Sequence, residues 1–176
     1  KSSIKHIESA IKICPNYAEA YLIMGVLLSK KDDINRTIEC YKEAIKIKPD
    51  YAEAYNNLGK ALKDAGKSED AIKNWLKATE IDPNYALAFS NMGSVQHEIG
   101  EFDAAIESYE HALKINPESA GTNFNLSLVY LHKENFRAGW DKYEGRWETN
   151  SFNSVALVTT RPRWSYSNEA RILLWA

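Results

Sequence analysis

Residues 52–85 read AEAYNNLGKALKDAGKSEDAIKNWLKATEIDPNY, and the punctuation of this stretch decides the fold. Tyr55, Leu58, Gly59 and Leu62 recur at three- and four-residue spacing, the period that places side chains on one face of a helix. Gly66 breaks that helix. Ala71, Ile72, Trp75, Ala78 and Thr79 resume the period in a second helix, ahead of Ile81 and Pro83. Proline has no backbone N–H and restricts the residue before it, so the second helix ends just before Pro83. The stretch is a helical hairpin.

The same punctuation recurs outward in both directions. Pro15, Pro49, Pro83 and Pro117 stand 34 residues apart, as do Gly25, Gly59 and Gly93, and Gly66 and Gly100. A fixed period of this length marks a repeat architecture. Gly25, Gly59 and Gly93 leave room for a partner helix, Ala44, Ala78 and Ala112 do the same on the second helix, and Tyr41, Trp75 and Tyr109 fill the space between hairpins. One hairpin cannot bury both of its faces, so the units stack, with a core running continuously from repeat to repeat. An elongated, curved, all-α object is expected.

Composition narrows the function. The 176 residues carry a net charge of −2, with 26% charged and 44% apolar residues, which excludes disorder of the whole chain. No apolar run approaches the roughly 18–20 residues that cross a bilayer, so membrane insertion is not expected. Near-neutral charge provides no broad basic field for phosphates, so nucleic acid is not an expected partner. Cys14 and Cys40 have neither CxxC spacing nor a nearby histidine pattern, which argues against a disulfide scaffold or a zinc site. They fit a reducing interior, and a cytoplasmic location is expected. The chain opens without methionine and stops in an apolar run, Ile172 to Ala176, so it reads as a piece of a longer protein.

In order, Tyr55, Leu58, Gly59, Leu62, Ala71, Trp75, Ala78 and Pro83 resemble the pattern of the tetratricopeptide repeat family. The resemblance implies a right-handed α-solenoid of helix-turn-helix hairpins with an irregular C-terminal extension. It covers residues 18–51, 52–85 and 86–119 as full repeats. Ile4, Ile7, Ala10, Ile11, Ile13 and Pro15 read as the second helix of a truncated repeat over residues 1–17. Met24 and Met92 replace Leu, Thr37 replaces Ala, and Gln96 takes a usually large position, which affects local packing.

Residues 120–149 read as a degenerate terminal repeat, with Asn123, Ser127, Gly139, Arg146 and Ser151 at pattern positions of other type. Trp140, Tyr143 and Trp147 share one face of its second helix as a capping core, with ligand stacking as the alternative. Residues 1–136 hold 16 basic and 20 acidic groups, or −4, whereas residues 137–176 hold 6 and 4, or +2. Four of the five tryptophans also fall at Trp140 or later. Residues 150–176 read as a connector and the start of a following domain, residues 148–170 being without helical period and Arg171 to Ala176 reading as a buried strand. Phe136 to Trp147, Arg161 to Trp164 and Ile172 to Ala176 look like the junction in bacterial tetratricopeptide proteins that continue into a glycosyltransferase-like domain. That resemblance implies a nucleotide-sugar site beyond Ala176.

Catalysis finds little support in the chain itself. His6, His97, His111 and His132 fall at different repeat offsets with no acid and nucleophile in a recognisable arrangement. His97 and His132 sit late on successive first helices and read as two solvated surface histidines rather than a metal pair. No Gly-rich phosphate loop is present. No catalytic residue, metal or cofactor is expected.

The inner wall is the candidate binding surface. In the tetratricopeptide family the first helices line the concave side, and the residue two before each Leu-Gly glycine faces the groove. Asn57, Asn91 and Asn125 hold that position here, with Ile23 breaking the series. An asparagine side chain offers donor and acceptor together, so it can bond the backbone of an extended ligand. Helix layers about 8–10 Å apart and a strand rise of about 3.3 Å put neighbouring asparagines near every third ligand residue. A similar ladder occurs in the tetratricopeptide arm of the O-linked N-acetylglucosamine transferases, where it holds substrate polypeptide. The alternative is that these are tolerated polar residues of the wall.

Around the ladder, Leu22, Ile23 and Val26 are apolar, Asn56, Lys60, Lys63, Ser90, Ser94 and His97 are polar, and Phe124, Leu128 and Leu131 are apolar again. The two ends read as pockets for anchor side chains, or as surfaces covered by upstream structure and by the tail. The carboxylate clamp of related chaperone-type repeats is disfavoured, because its positions fall on Leu22, Val26 and Leu87. The expected partner is a protein or extended peptide held by a non-catalytic scaffold. A substrate-presenting arm of a glycosyltransferase-like enzyme and self-association are the alternatives.

Overall fold

The structure, a computed structural model, describes residues 2–143. Among these the chain forms nine helices and no strand: α1 (Ser2–Ile13), α2 (Ala18–Ser29), α3 (Ile34–Ile47), α4 (Ala52–Asp64), α5 (Ser68–Ile81), α6 (Ala86–Glu98), α7 (Phe102–Ile115), α8 (Ala120–His132) and α9 (Phe136–Tyr143). Arg146, Trp147, Ser151, the connector over 148–170 and the strand read at 171–176 lie outside the described residues. So does most of the glycosyltransferase-like junction.

Helix ends follow the repeated punctuation. The residues before Pro49, Pro83 and Pro117 adopt nearly one conformation: Lys48 at φ −128°, Asp82 at φ −128° and Asn116 at φ −130°, each with ψ between 85° and 96°. A following proline ring drives its predecessor out of the helical region, and that stops α3, α5 and α7 in register. The turns inside the hairpins share a second device, for Gly66 (φ +74°) and Gly100 (φ +85°) are left-handed, and Asp32 (φ 58°) and Glu134 (φ 59°) hold the same position one repeat away. A Cβ is unfavourable there, less so for Asp than for Glu. Glu134→Gly is therefore expected to stabilise the chain by about 0.5–1 kcal/mol, with Asp32→Gly gaining less. Urea unfolding followed by circular dichroism checks this, and a lower midpoint for Glu134→Gly would contradict it.

Helices pair as α2 with α3, α4 with α5, α6 with α7 and α8 with α9, and each second helix packs on the first helix of the next hairpin. Helices α4, α6 and α8 also touch in series, so these first helices form one layer. This is an all-α solenoid of stacked hairpins. Helix α1 packs against α2 at one end.

One packing expectation needs correction. Tyr41, Trp75 and Tyr109 do not simply fill gaps between hairpins: each ring lies on the glycine of its own hairpin. A Cβ on Gly59 would lie 2.7 Å from the Trp75 indole, one on Gly93 would lie 3.0 Å from the Tyr109 ring, and one on Gly25 would strike Tyr41. The glycine makes a seat for an aromatic from the partner helix. The rings are 3%, 1% and 1% exposed in chain order, and burial pushes the Tyr41 phenol up to about 12.

The apolar core groups into two clusters that meet where the Tyr109 ring lies on Gly93. One cluster runs from Leu22 to Val95 and a second joins Ala105, Tyr109, Leu126 and Val129. Where one gives way to the other, Ser108 Oγ donates to Gln96 Oε1 at 2.6 Å with both side chains buried. Gln96 occupies a position usually held by a large apolar residue, and Ser108 supplies the hydrogen bond that makes its burial tolerable. Met24 and Met92 are simply buried as leucines would be.

Candidate functional site

The wall of first helices carries the sequence-predicted groove residues, but it does not present them equally. Leu22 is buried in the main cluster and offers no open pocket. Ile23 is 45% exposed on the same helix, and Val26 is half-buried against the cluster. At the other end the Phe124 ring packs, tilted, at 5.6 Å from Tyr143, which meets Trp140 edge-on. Leu131 packs over Gly139, where a Cβ would lie 2.6 Å from it. Leu128 is partly buried. Phe124 and Leu131 thus lean on α9, and the glycine at the usual alanine position exists to admit Leu131.

The asparagines are not three equal rungs: Asn57 and Asn91 are linked through Asn56, and Asn125 stands apart from them. Asn56 is 3% exposed because it faces Trp75 of α5 and Asn91 of α6. Its carbonyl accepts from the Trp75 indole at 3.1 Å, its Oδ1 accepts from Asn91 Nδ2 at 3.0 Å, and its Nδ2 donates to Asn57 Oδ1 at 3.3 Å. Asn91 is therefore committed to the protein itself. Asn125 faces the Tyr109 hydroxyl, as does Ser94. Asn57 alone keeps its NH2 without a partner among the described residues.

The polar residues divide in the same way. Lys63 spans from α4 to α6, donating to Glu98 Oε1 at 2.6 Å and Ser94 Oγ at 3.4 Å. Ser90 shares a hydrogen bond with Thr122 of α8 at 3.1 Å, and Thr122 in turn meets Ser119 at 2.8 Å. His97 Nε2 and His132 Nδ1 lie 2.7 Å apart, so these histidines bond one another instead of standing separately in solvent. Lys60 is exposed and forms no ion pair among the described residues.

Asn57 and Lys60 stand together at a cleft of about 470 Å³ between the α2–α3 hairpin and α4, whose lining includes Val26, Tyr41, Thr37 and Asp64. The Thr37 hydroxyl is buried there and has no partner among the described residues. The sequence reading missed the cleft and the burial of Asn56. The Asn56-Asn57 doublet was visible, but only the packing of α6 on α4 shows which of the two faces outward.

No group of three or more histidine, cysteine or carboxylate side chains is placed to hold a metal ion among the described residues. Both cysteines are free. No helix among the described residues is long and apolar enough to cross a membrane.

Stacked helical hairpins with one inner wall of first helices define the class: a repeat scaffold. The family is equally definite, because a family model of the TPR repeat matches residues 30–66 and 60–100 and one of the tetratricopeptide repeat matches 86–119. The chain belongs to the tetratricopeptide repeat family. Among solved structures it is similar to a crystal structure of MamA, at 28% identity with a TM-score of 0.76, over 82% of this chain and 85% of that one. The MamA chain from Desulfovibrio magneticus RS-1 matches at 17% identity and TM-score 0.75, over 85% and 87%. PilF of Pseudomonas aeruginosa matches at 20% and 0.77, over 84% and 67%. The latter two show likeness of fold. No curated protein matches the sequence.

Proposed function

We propose that the chain is a non-catalytic scaffold that holds an extended polypeptide along its concave wall, anchored at the Asn57–Lys60 end. The observation that carries this reading is the unpartnered Asn57 amide beside the unpaired Lys60 ammonium at the mouth of the cleft. Asn57 supplies two N–H donors for ligand carbonyls, and Lys60 supplies a charge for a ligand carboxylate. The partly buried Val26 adds apolar surface beside them, and Ile23 is exposed on the same helix as Val26. Asn91, Ser90, Ser94 and Lys63 hold the wall together, so they shape the groove more than they bind.

A displayed library of random twelve-residue peptides, selected on the whole chain, tests this. Selected peptides are expected to lose about tenfold in affinity for the Asn57→Ala/Lys60→Ala variant, the worth of one or two lost polar contacts. Asn125→Ala is expected to change affinity less. Unaltered affinity in the double variant, with helicity intact, would remove the anchor.

A further inference from the structure

His97 and His132 lie 35 positions apart, in the last turns of α6 and α8, yet their ring nitrogens Nε2 and Nδ1 are 2.7 Å from each other. Phe102, which opens α7, packs against both imidazoles, with centroids 5.8 Å from His97 and 5.6 Å from His132. Three helices of two successive repeats therefore meet at one hydrogen bond between two titratable rings. We propose that His97 and His132 form a proton-operated latch on the concave wall, closed while the pair holds at most one bridging proton beyond a neutral ring and open when both rings are charged.

The chemistry follows from the inventory of the imidazole ring. Two neutral rings supply one N–H donor and one lone pair, and an imidazolium with a neutral ring supplies the same arrangement with charge assistance. Two imidazolium rings supply only donors, so the contact becomes a repulsion between like charges. The protons are taken up in two steps that belong to the pair rather than to either residue.

The carboxylates nearest the pair are themselves engaged by other side chains, and of these Glu98 alone acts on His97. On α6, Glu98 is held by Lys63 of α4 and by Ser94. On α7, Asp103 is held by Lys133, the residue that follows α8. Glu101 and Glu134 stand exposed in the adjoining turns. The ends of α6 and α8 favour positive charge, which supports the first proton. Burial, and next the charge of His132, lower the His97 pKa from its ordinary 6.5, with Glu98 opposing. A depressed value means that the neutral ring is favoured in the folded state. Its contribution to stability is complete above pH 6.5 and is lost as pH falls through the depressed folded value.

The test compares the natural chain with His97→Gln/His132→Asn, whose amides keep nitrogens near the bonded positions and cannot take up a proton. Between pH 7.5 and 5.5 the natural chain is expected to lose about 3 °C more in melting temperature than the variant. Equal losses would overturn the latch. Imidazole NMR titration of the unsubstituted chain reads the same pair without substitution. A His97 titration below the ordinary value is expected, and a His97 titration at the ordinary value would overturn it.

Discussion

Trp75→Ala is expected to remove about 3–5 kcal/mol from the unfolding free energy, the range for emptying a large aromatic site in a packed core. The ring is 1% exposed, lies on Gly59, and donates its indole N–H to the Asn56 carbonyl. Alanine leaves a void against backbone of α4, and backbone cannot close on it without breaking the hairpin. Because Asn56 also accepts from Asn91 on α6, the loss reaches the neighbouring repeat. Equilibrium urea unfolding followed by far-ultraviolet circular dichroism measures the change. A midpoint within error of the natural chain would show that the indole seat does not hold α4 to α5.

Gly59→Val is the complementary experiment, since it fills the seat instead of emptying it. Even the first added carbon would lie 2.7 Å from two atoms of a buried, rigid ring. Overpacking of this kind costs about 3 kcal/mol, against any small gain in helix propensity. Gly121→Ala is the control, because a Cβ there meets nothing within 4 Å. It is expected to leave stability unchanged or raise it by up to about 1 kcal/mol. Glycine and ring form one contact, so Gly59→Val should cost far less once Trp75 is alanine. Equal costs for Gly59→Val in both backgrounds would place the strain elsewhere.

The hairpins were legible because their determinants are local. Pro49, Pro83 and Pro117 act on the residue beside them, and Gly66 and Gly100 act through their own φ angles. Both effects are properties of one or two residues, so spacing alone revealed the repeat. Asp32 and Glu134 take the same left-handed position one repeat away, although neither residue type announces it. Helix packing, which fixes the length of each turn, shows that they take it.

The candidate site was legible only in outline. Period and family resemblance placed Asn57, Asn91 and Asn125 on the inner wall as equals, and they are not equal. Whether an amide is free depends on which neighbour comes within about 3 Å of it. Asn91 reaches Asn56 and Asn125 faces Tyr109, whereas the Asn57 NH2 has no partner among the described residues. The histidines illustrate the same limit, since His97 and His132 lie at different repeat offsets yet bond across α6 and α8.

By itself, then, the sequence determined the all-α solenoid, the hairpin period and the helix ends, since short-range sterics and apolar periodicity need no knowledge of distant residues. Tertiary structure alone decided that aromatics seat on glycines of their own hairpin, that Gln96 and Ser108 are buried as a bonded pair, and which polar groups of the wall are engaged by the protein itself. Those outcomes turn on distances of a few ångströms between helices remote in sequence. Burial and hydrogen-bond partners change over that range, while a repeat pattern holds residues of the same type to be equivalent.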